Sequence, residues 1–261
     1  NKIRLTGGEP LVRSELPKLI RMLSQMEGID EVSMTTNGIL LPKYAFELKQ
    51  AGLSRVNISL DTLKVDRFRY ITRLGELKDV LDGIEAARDA GFHPVKINVV
   101  VMQGINDDEV LDFANMTYKE GWHVRFIEFM PFTGVAEFVP WSEIRQRITS
   151  LGAVEPCSPI MGNGPARYYC LSGAKGTIGF ISSISEPFCS SCNRIRLTSS
   201  GKLCPCLWED SEIDLKKPLR SNASIQEIRY LILKAVASKP EHHRLGDGGV
   251  LIKRKMCQTG G

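Results

Sequence analysis

The stretch Asn57-Ile58-Ser59-Leu60-Asp61 alternates polar and apolar residues and ends on an acidic turn residue. A period of two puts Ile58 and Leu60 on one face of a strand and Asn57 and Ser59 on the other. The same rhythm runs through 2–6, 31–36, 94–102 and 123–129. There Ile3, Leu5, Val32, Met34, Ile97, Val99, Val124 and Phe126 continue the apolar face. Arg4, Thr6, Ser33, Thr35, Lys96, Asn98, His123 and Arg125 continue the polar one. Helical patterns over 14–27, 42–51, 65–73, 77–90 and 107–120 separate the runs. Gly28, Gly52, Gly91 and Gly121 follow helix ends, where a left-handed C-cap is expected. Strand and helix in alternation predict parallel βα units.

A parallel sheet is normally covered, and apolar, on both faces. A second face that is polar on every strand therefore predicts a partial barrel with a polar, ligand-lined interior. The competing reading is an open sheet with one solvated face. Loops at the strand ends, Thr6-Gly7-Gly8-Glu9-Pro10 and Thr35-Thr36-Asn37-Gly38 among them, sit where ligands bind such sheets. Lys96 and Arg125 stand out, since a charge facing a barrel interior needs a counter-ion or a ligand. The alternative for them is a buried ion pair with Glu128 or Glu9.

Near Pro131 the composition turns rich in proline and glycine, with one helix predicted over 142–150. Strands follow over 166–171, 177–181 and 195–198, and a helix over 224–238. This divides the chain into an N-terminal domain, 1–131, and a C-terminal domain, 132–261. A net charge of +4 is too small for a nucleic-acid footprint but suits phosphate-bearing ligands. No apolar run is long enough to cross a membrane, and Asn1-Lys2-Ile3-Arg4 is no signal peptide. Seven cysteines without a secretory leader point to reduced thiolates in an intracellular protein.

Cys189-Ser190-Ser191-Cys192-Asn193-Arg194-Ile195-Arg196, with Cys206 beyond it, joins a three-thiolate metal site to two arginines. Such a set holds an iron–sulfur cluster or zinc. Zinc normally closes its shell with four ligands, and no fourth Cys or His lies at short spacing, so a cluster with one open iron fits better. If 203–207 is extended, Cys204 and Cys206 share a face, and alternation does not choose between them. Arg194 and Arg196 leave the turn on one face and form an anion clamp. His242-His243 and Lys253-Arg254-Lys255 read as solvated segments, and Gly260-Gly261 as a frayed end.

Taken together these motifs resemble the radical S-adenosylmethionine enzymes of molybdenum cofactor biosynthesis, the GTP 3',8-cyclase family known as MoaA. The likeness runs through Thr6 to Pro10, Thr36-Asn37-Gly38, Asn57 to Asp61, Lys96-Ile97-Asn98, Phe126 to Pro131, Phe188 to Leu197, Cys206-Leu207 and Gly260-Gly261. It implies an α/β fold, an incomplete (βα)6 TIM-like barrel, with a smaller C-terminal domain carrying an auxiliary [4Fe-4S] cluster. Gly8, Ser59 and Met130 match positions that contact S-adenosylmethionine. Arg4, Thr35, Lys96, Arg194, Ile195 and Arg196 match positions that bind GTP. Cys189, Cys192 and Cys206 match the auxiliary cluster's ligands, whose open iron meets the guanine. Arg125, Gly260 and Gly261 are the expected catalytic residues, the glycines because the family's tail reaches into the active site. The resemblance further implies an electron donor and an accessory protein that completes cyclic pyranopterin monophosphate. It implies no nucleic-acid or membrane partner, is compatible with a homodimer, and places the protein in bacterial cytoplasm or the mitochondrial matrix.

One departure is large: the family's Cys-x3-Cys-x2-Cys loop after the first barrel strand is absent, which reads as loss of that strand and loop ahead of residue 2. The alternatives are another radical enzyme with an auxiliary cluster, such as a peptide-modifying one, and a non-catalytic zinc module. On the truncated reading, anaerobic reconstitution of these 261 residues yields one cluster, about four irons per chain, and no 5'-deoxyadenosine. Radical turnover by this chain alone would contradict that expectation.

Overall fold

A computed structural model describes residues 1–130, 138–158, 164–209 and 211–242. Gly260, Gly261 and His243, singled out from the sequence, lie outside the described residues. The chain divides into two compact units, Asn1–Glu186 and Pro187–Gly261.

In the first unit β1 (Lys2–Leu5), β2 (Glu31–Thr36), β3 (Arg55–Ser59), β4 (Lys96–Val101) and β5 (His123–Glu128) pair in parallel, in chain order. Helices α1 (Leu16–Ser24), α2 (Leu41–Gln50), α3 (Val65–Thr72), α4 (Leu77–Asp89) and α5 (Val110–Lys119) fill the connections. All five strands and five helices match the sequence expectation to within a few residues at each end. The four predicted C-cap glycines, Gly28, Gly52, Gly91 and Gly121, take φ values from 67° to 100°. Side chains at such φ are strained, which is why glycine ends these helices. Helix α1 differs in one detail: it starts at Leu16 behind Glu15, which sits in the left-handed region, and not at Ser14.

Helix α6 (Trp141–Ile148) and strands β6 (Val154–Pro156), β7 (Arg167–Leu171) and β8 (Ile178–Ile181) follow. β8 adds in parallel to β5, β7 runs antiparallel to β8, and β6 antiparallel to β7. The result is an open, mixed, eight-stranded sheet in the order β1-β2-β3-β4-β5-β8-β7-β6. The sequence reading put residues 132–186 with the C-terminal domain; the described part of that segment packs in the first compact unit. Its physical role there is to cover the edge that β5 would otherwise leave unpaired.

On one face of the sheet Met34, Ile58, Ile97, Val124 and Ile178 are fully buried, and the helices add Ile20, Leu48, Ile84 and Phe113. Phe126 and Phe180, register partners on β5 and β8, stack at 6.1 Å, with Tyr169 edge-on to Phe180 at 5.4 Å. Aromatic pairing of this kind ties the late strands to the early ones.

The second unit is small. β9 (Arg196–Leu197), β10 (Lys202–Cys204) and β11 (Ile213–Asp214) form an antiparallel sheet, followed by α7 (Lys216–Arg220) and α8 (Ile225–Ala237). Leu203, Leu215 and Ala235 make its core, and the Ser224 hydroxyl caps α8 by accepting from the Glu227 N–H at 3.2 Å. Among the described residues no helix is long and apolar enough to cross a membrane.

Helix α4 crosses the loop before α2 at Gly83, where an added Cβ would stand 2.1 Å from the Gly38 carbonyl oxygen. Backbone cannot yield as a flexible side chain would. Gly83→Ala is therefore expected to destabilise the first unit by about 1–3 kcal/mol, read as a lower urea midpoint.

Candidate functional site

The middle of the sheet's polar face is buried, with Ser33, Asn57, Lys96 and Arg125 each at most 5% exposed, while Arg4 and Ser59 at its margins are exposed. Register places Thr35, Asn57, Lys96 and His123 side by side across four strands, with Ser59, Asn98, Arg125 and Gly179 one layer higher. A hydrogen-bonded chain runs across these layers. The Arg125 guanidinium donates to Asn57 Oδ1 at 2.8 Å, and the Asn57 amide reaches Thr35 Oγ1 at 3.4 Å. Lys96 Nζ donates to the Tyr168 hydroxyl at 3.0 Å, and Arg125 is also hydrogen-bonded to Tyr168. Thr35, Lys96 and Arg125, predicted separately, thus meet through Asn57 and Tyr168.

Tyr168 reaches them because β8 carries Gly179 in this layer. A Cβ there would lie 3.0 Å from Arg125 Cγ and 3.2 Å from Tyr168 Cε1. The sequence reading missed Tyr168, Gly179 and Arg55. Arg55 lies two residues before Asn57 on the same face, so the alternation held the signal; its ion pair with Glu31 closes the layer below. Tyr168 and Gly179 gave no such signal, since their strands were assigned elsewhere.

The electrostatics are those of a cation cluster. Burial, reinforced by the charges of Arg125, Arg55 and Arg4, pulls Lys96 down to about 7, with Glu31 opposing. Burial also lowers Arg125, against its contacts with Tyr168. His123, within 3.1 Å of Thr177 Oγ1, is driven to about 4 by burial and then by Lys96 and His93, so it is neutral at pH 7. The carboxylates once weighed as partners serve loops instead. Glu9 accepts from Leu11 N, Thr36 Oγ1 and Asn37 N. Glu128 accepts from the N–H groups of Trp141, Ile184 and Ser185. Among the described residues Asn98 Oδ1 and Arg125 Nε are buried with no hydrogen-bond partner, and such groups suit a polar ligand.

Gly8, Ser59 and Met130 lie at the carboxyl ends of β1, β3 and β5; Gly8 and Ser59 are exposed and Met130 half-buried. Arg4 is on β1, exposed, beside Ser33 in register.

In the second unit Cys189 and Cys192 bracket a single 3-10 turn, in which Cys192 N donates to Cys189 O at 3.0 Å. Both line a cleft of about 340 Å³ together with Lys239, Glu241 and His242. Strand β10 ends at Cys204, so Cys204 and Cys206 do not share a strand face as the extended reading supposed; Pro205 separates a buried thiol from a half-buried one. The Cys204 thiol is 3.8 Å from Glu212 Oε1. Burial raises the Cys206 thiol, against the Trp208 N–H, and the charges of Glu209, Cys189 and Cys192 raise it further.

Burial alone would raise Cys192, but the Arg194 N–H and guanidinium and the Lys239 ammonium hold it below its ordinary value. Arg194 stacks over the Phe188 ring at 5.0 Å; burial and then the Arg194 charge lower Arg196, on β9, against the charges of Cys192, Cys206 and Cys204. Ile195 between them is 40% exposed. Among the described residues no three His, Cys, Asp or Glu converge as ligands of a single metal ion. Thiolates around one zinc all stand about 2.3 Å from a common point; those of a cluster bind different irons and stand farther apart.

The model of the radical SAM superfamily matches residues 1–117, and that of molybdenum cofactor synthesis C matches 122–245. The GTP 3',8-cyclase of Pelotomaculum thermopropionicum is 50% identical over 266 aligned residues, covering 100% of this chain and 82% of that protein. The GTP 3',8-cyclases of Moorella thermoacetica and Heliobacterium modesticaldum are each 51% identical at the same coverage. By these matches the chain belongs to the GTP 3',8-cyclase family of radical SAM proteins.

Proposed function

We propose that this chain binds GTP for the reaction its relatives' name states, formation of 3',8-cyclo-7,8-dihydro-GTP in the first step of molybdenum cofactor biosynthesis, these 261 residues alone giving no radical turnover. The observation that carries the reading is the cation cluster on the inner face of a parallel sheet: Lys96, Arg125 and Arg55 are buried there, and the exposed Arg4 adds its charge. The half-buried Glu31, ion-paired with Arg55, opposes it. Burying several positive charges together is costly, and a nucleotide triphosphate stabilises them.

In this reading Arg4, Thr35 and Lys96 in the first unit keep the GTP-binding role expected of them, as do Arg194, Ile195 and Arg196 in the second. Arg125 is held by Asn57 and Tyr168, so its fork is oriented before substrate arrives. Gly8, Ser59 and Met130 bind S-adenosylmethionine at the carboxyl ends of the strands, the usual ligand edge of such sheets. Gly260 and Gly261 keep the catalytic role expected of them. When bound, S-adenosylmethionine and its [4Fe-4S] cluster supply a 5'-deoxyadenosyl radical. These 261 residues contain no Cys-x3-Cys-x2-Cys run, so no residue here is assigned to that cluster. Cys189, Cys192 and Cys206 fit an auxiliary [4Fe-4S] cluster: two thiols open on one cleft and the third is electrostatically coupled to both. An electron donor and an accessory protein that consumes the product complete the proposal.

Metal analysis tests the cluster reading directly. The reconstituted chain is expected to hold about four irons with labile sulfide, lost in Cys206→Ser and retained in Cys204→Ser. Zinc without sulfide, or loss with Cys204 alone, overturns the assignment.

The cation cluster has its own signature. With a free-state value of about 7, Lys96 carries its charge below pH 7 and loses it above. GTP binding therefore weakens as pH rises from 6 to 8 and takes up a proton at pH 7. Calorimetry in buffers of different ionisation enthalpy measures that uptake; Lys96→Met is expected to bind more weakly and to lose it. A wild-type pH profile in the variant would remove Lys96 from the site.

A further inference from the structure

We infer that Lys239 is a positioning residue for the auxiliary cluster, holding the Cys192–Arg194 turn and donating a hydrogen bond to the Cys192 sulfur; the inference rests on the cluster reading of Cys189, Cys192 and Cys206. An ammonium has three donors and no acceptor. Lys239 Nζ meets three acceptors on one turn: the Cys192 carbonyl oxygen, Cys192 Sγ at 3.3 Å and the Arg194 carbonyl oxygen at 3.0 Å. The residue is half-buried and follows the end of α8, its own N–H bonded to the Val236 carbonyl at 3.2 Å. A helix end thus delivers the charge to the cysteine turn, where a free loop would leave a long side chain many rotamers to lose.

The geometry does two things for a bound cluster. It pins the carbonyls on either side of Asn193, which fixes the direction in which Cys192 and Arg194 leave the turn. It also sets a cation and an N–H donor against a ligand sulfur, and hydrogen bonds to ligand sulfur together with local charge are the protein's means of tuning cluster potential. A positive donor stabilises the reduced, more negative cluster, so its loss makes reduction harder.

The test uses the chain reconstituted anaerobically, comparing wild type with Lys239→Met, Lys239→Gln and Lys239→Arg. Iron release to a chelator and the midpoint potential from an EPR-monitored titration are the readouts. Lys239→Met is expected to release iron roughly tenfold faster and to titrate at lower potential, with Lys239→Arg recovering most of both. If Lys239→Met does not fold, Lys239→Gln, which keeps a neutral donor, carries the same comparison with a smaller shift expected. Wild-type release and potential in the neutral variants overturn this role while leaving the cluster reading intact. A wild-type chain that takes up no iron overturns the cluster reading and this inference together.

Discussion

Burial of positive charge on the inner face of a parallel sheet is the constraint from which the first unit's organisation follows. Lys96 and Arg125 stand one layer apart on adjacent strands, both nearly inaccessible to water. In an apolar interior each would cost several kcal/mol unless hydrogen-bonded and compensated. Asn57 and Tyr168 supply the hydrogen bonds, and the absence of a side chain at Gly179 leaves room for both Arg125 and the Tyr168 ring. The antiparallel addition of β7 to β8 exists at the right register for this. Lys96 and Arg125 are among the residues proposed to meet GTP.

The second unit solves a smaller problem by local means. Among the described residues its short strands and small buried core of Leu203, Leu215 and Ala235 can order little chain by hydrophobic burial alone. Order around the cysteines comes instead from polar contacts: the 3-10 turn from Cys189 to Cys192, the stacking of Arg194 on Phe188, and the ammonium of Lys239. Metal binding to such a site is coupled to folding, because ligands that are already gathered lose less entropy on binding.

Strand existence and facing were legible in the sequence because side-chain period depends only on local backbone geometry. The polar and apolar faces inferred from Asn57 to Leu60 and its four companions are the faces observed. The carboxyl-edge loops and the cysteine turn were legible for the same reason, since their spacing is short. Legibility failed where contact depends on distant chain. Tyr168 is 72 residues from Lys96, Lys239 is 47 from Cys192, and no periodicity connects them. Alternation does not tell Cys204 from Cys206; the strand ends at Cys204, whose buried thiol lies 3.8 Å from Glu212 Oε1, and Pro205 separates it from the half-buried Cys206.

By itself, then, the sequence determined the βα repeat, the polarity of each sheet face, the cysteine and arginine spacing and, through its motifs, the family. The tertiary structure alone decided that β8 joins β5 in parallel, that β6 and β7 follow it into the same sheet, and that Tyr168 and Gly179 shape the cation site. It alone brought Lys239 onto the cysteine turn. The division has one physical cause: backbone geometry repeats over two to four residues and is written locally, whereas burial, charge compensation and hydrogen-bond satisfaction are met only when segments far apart in the chain are packed together.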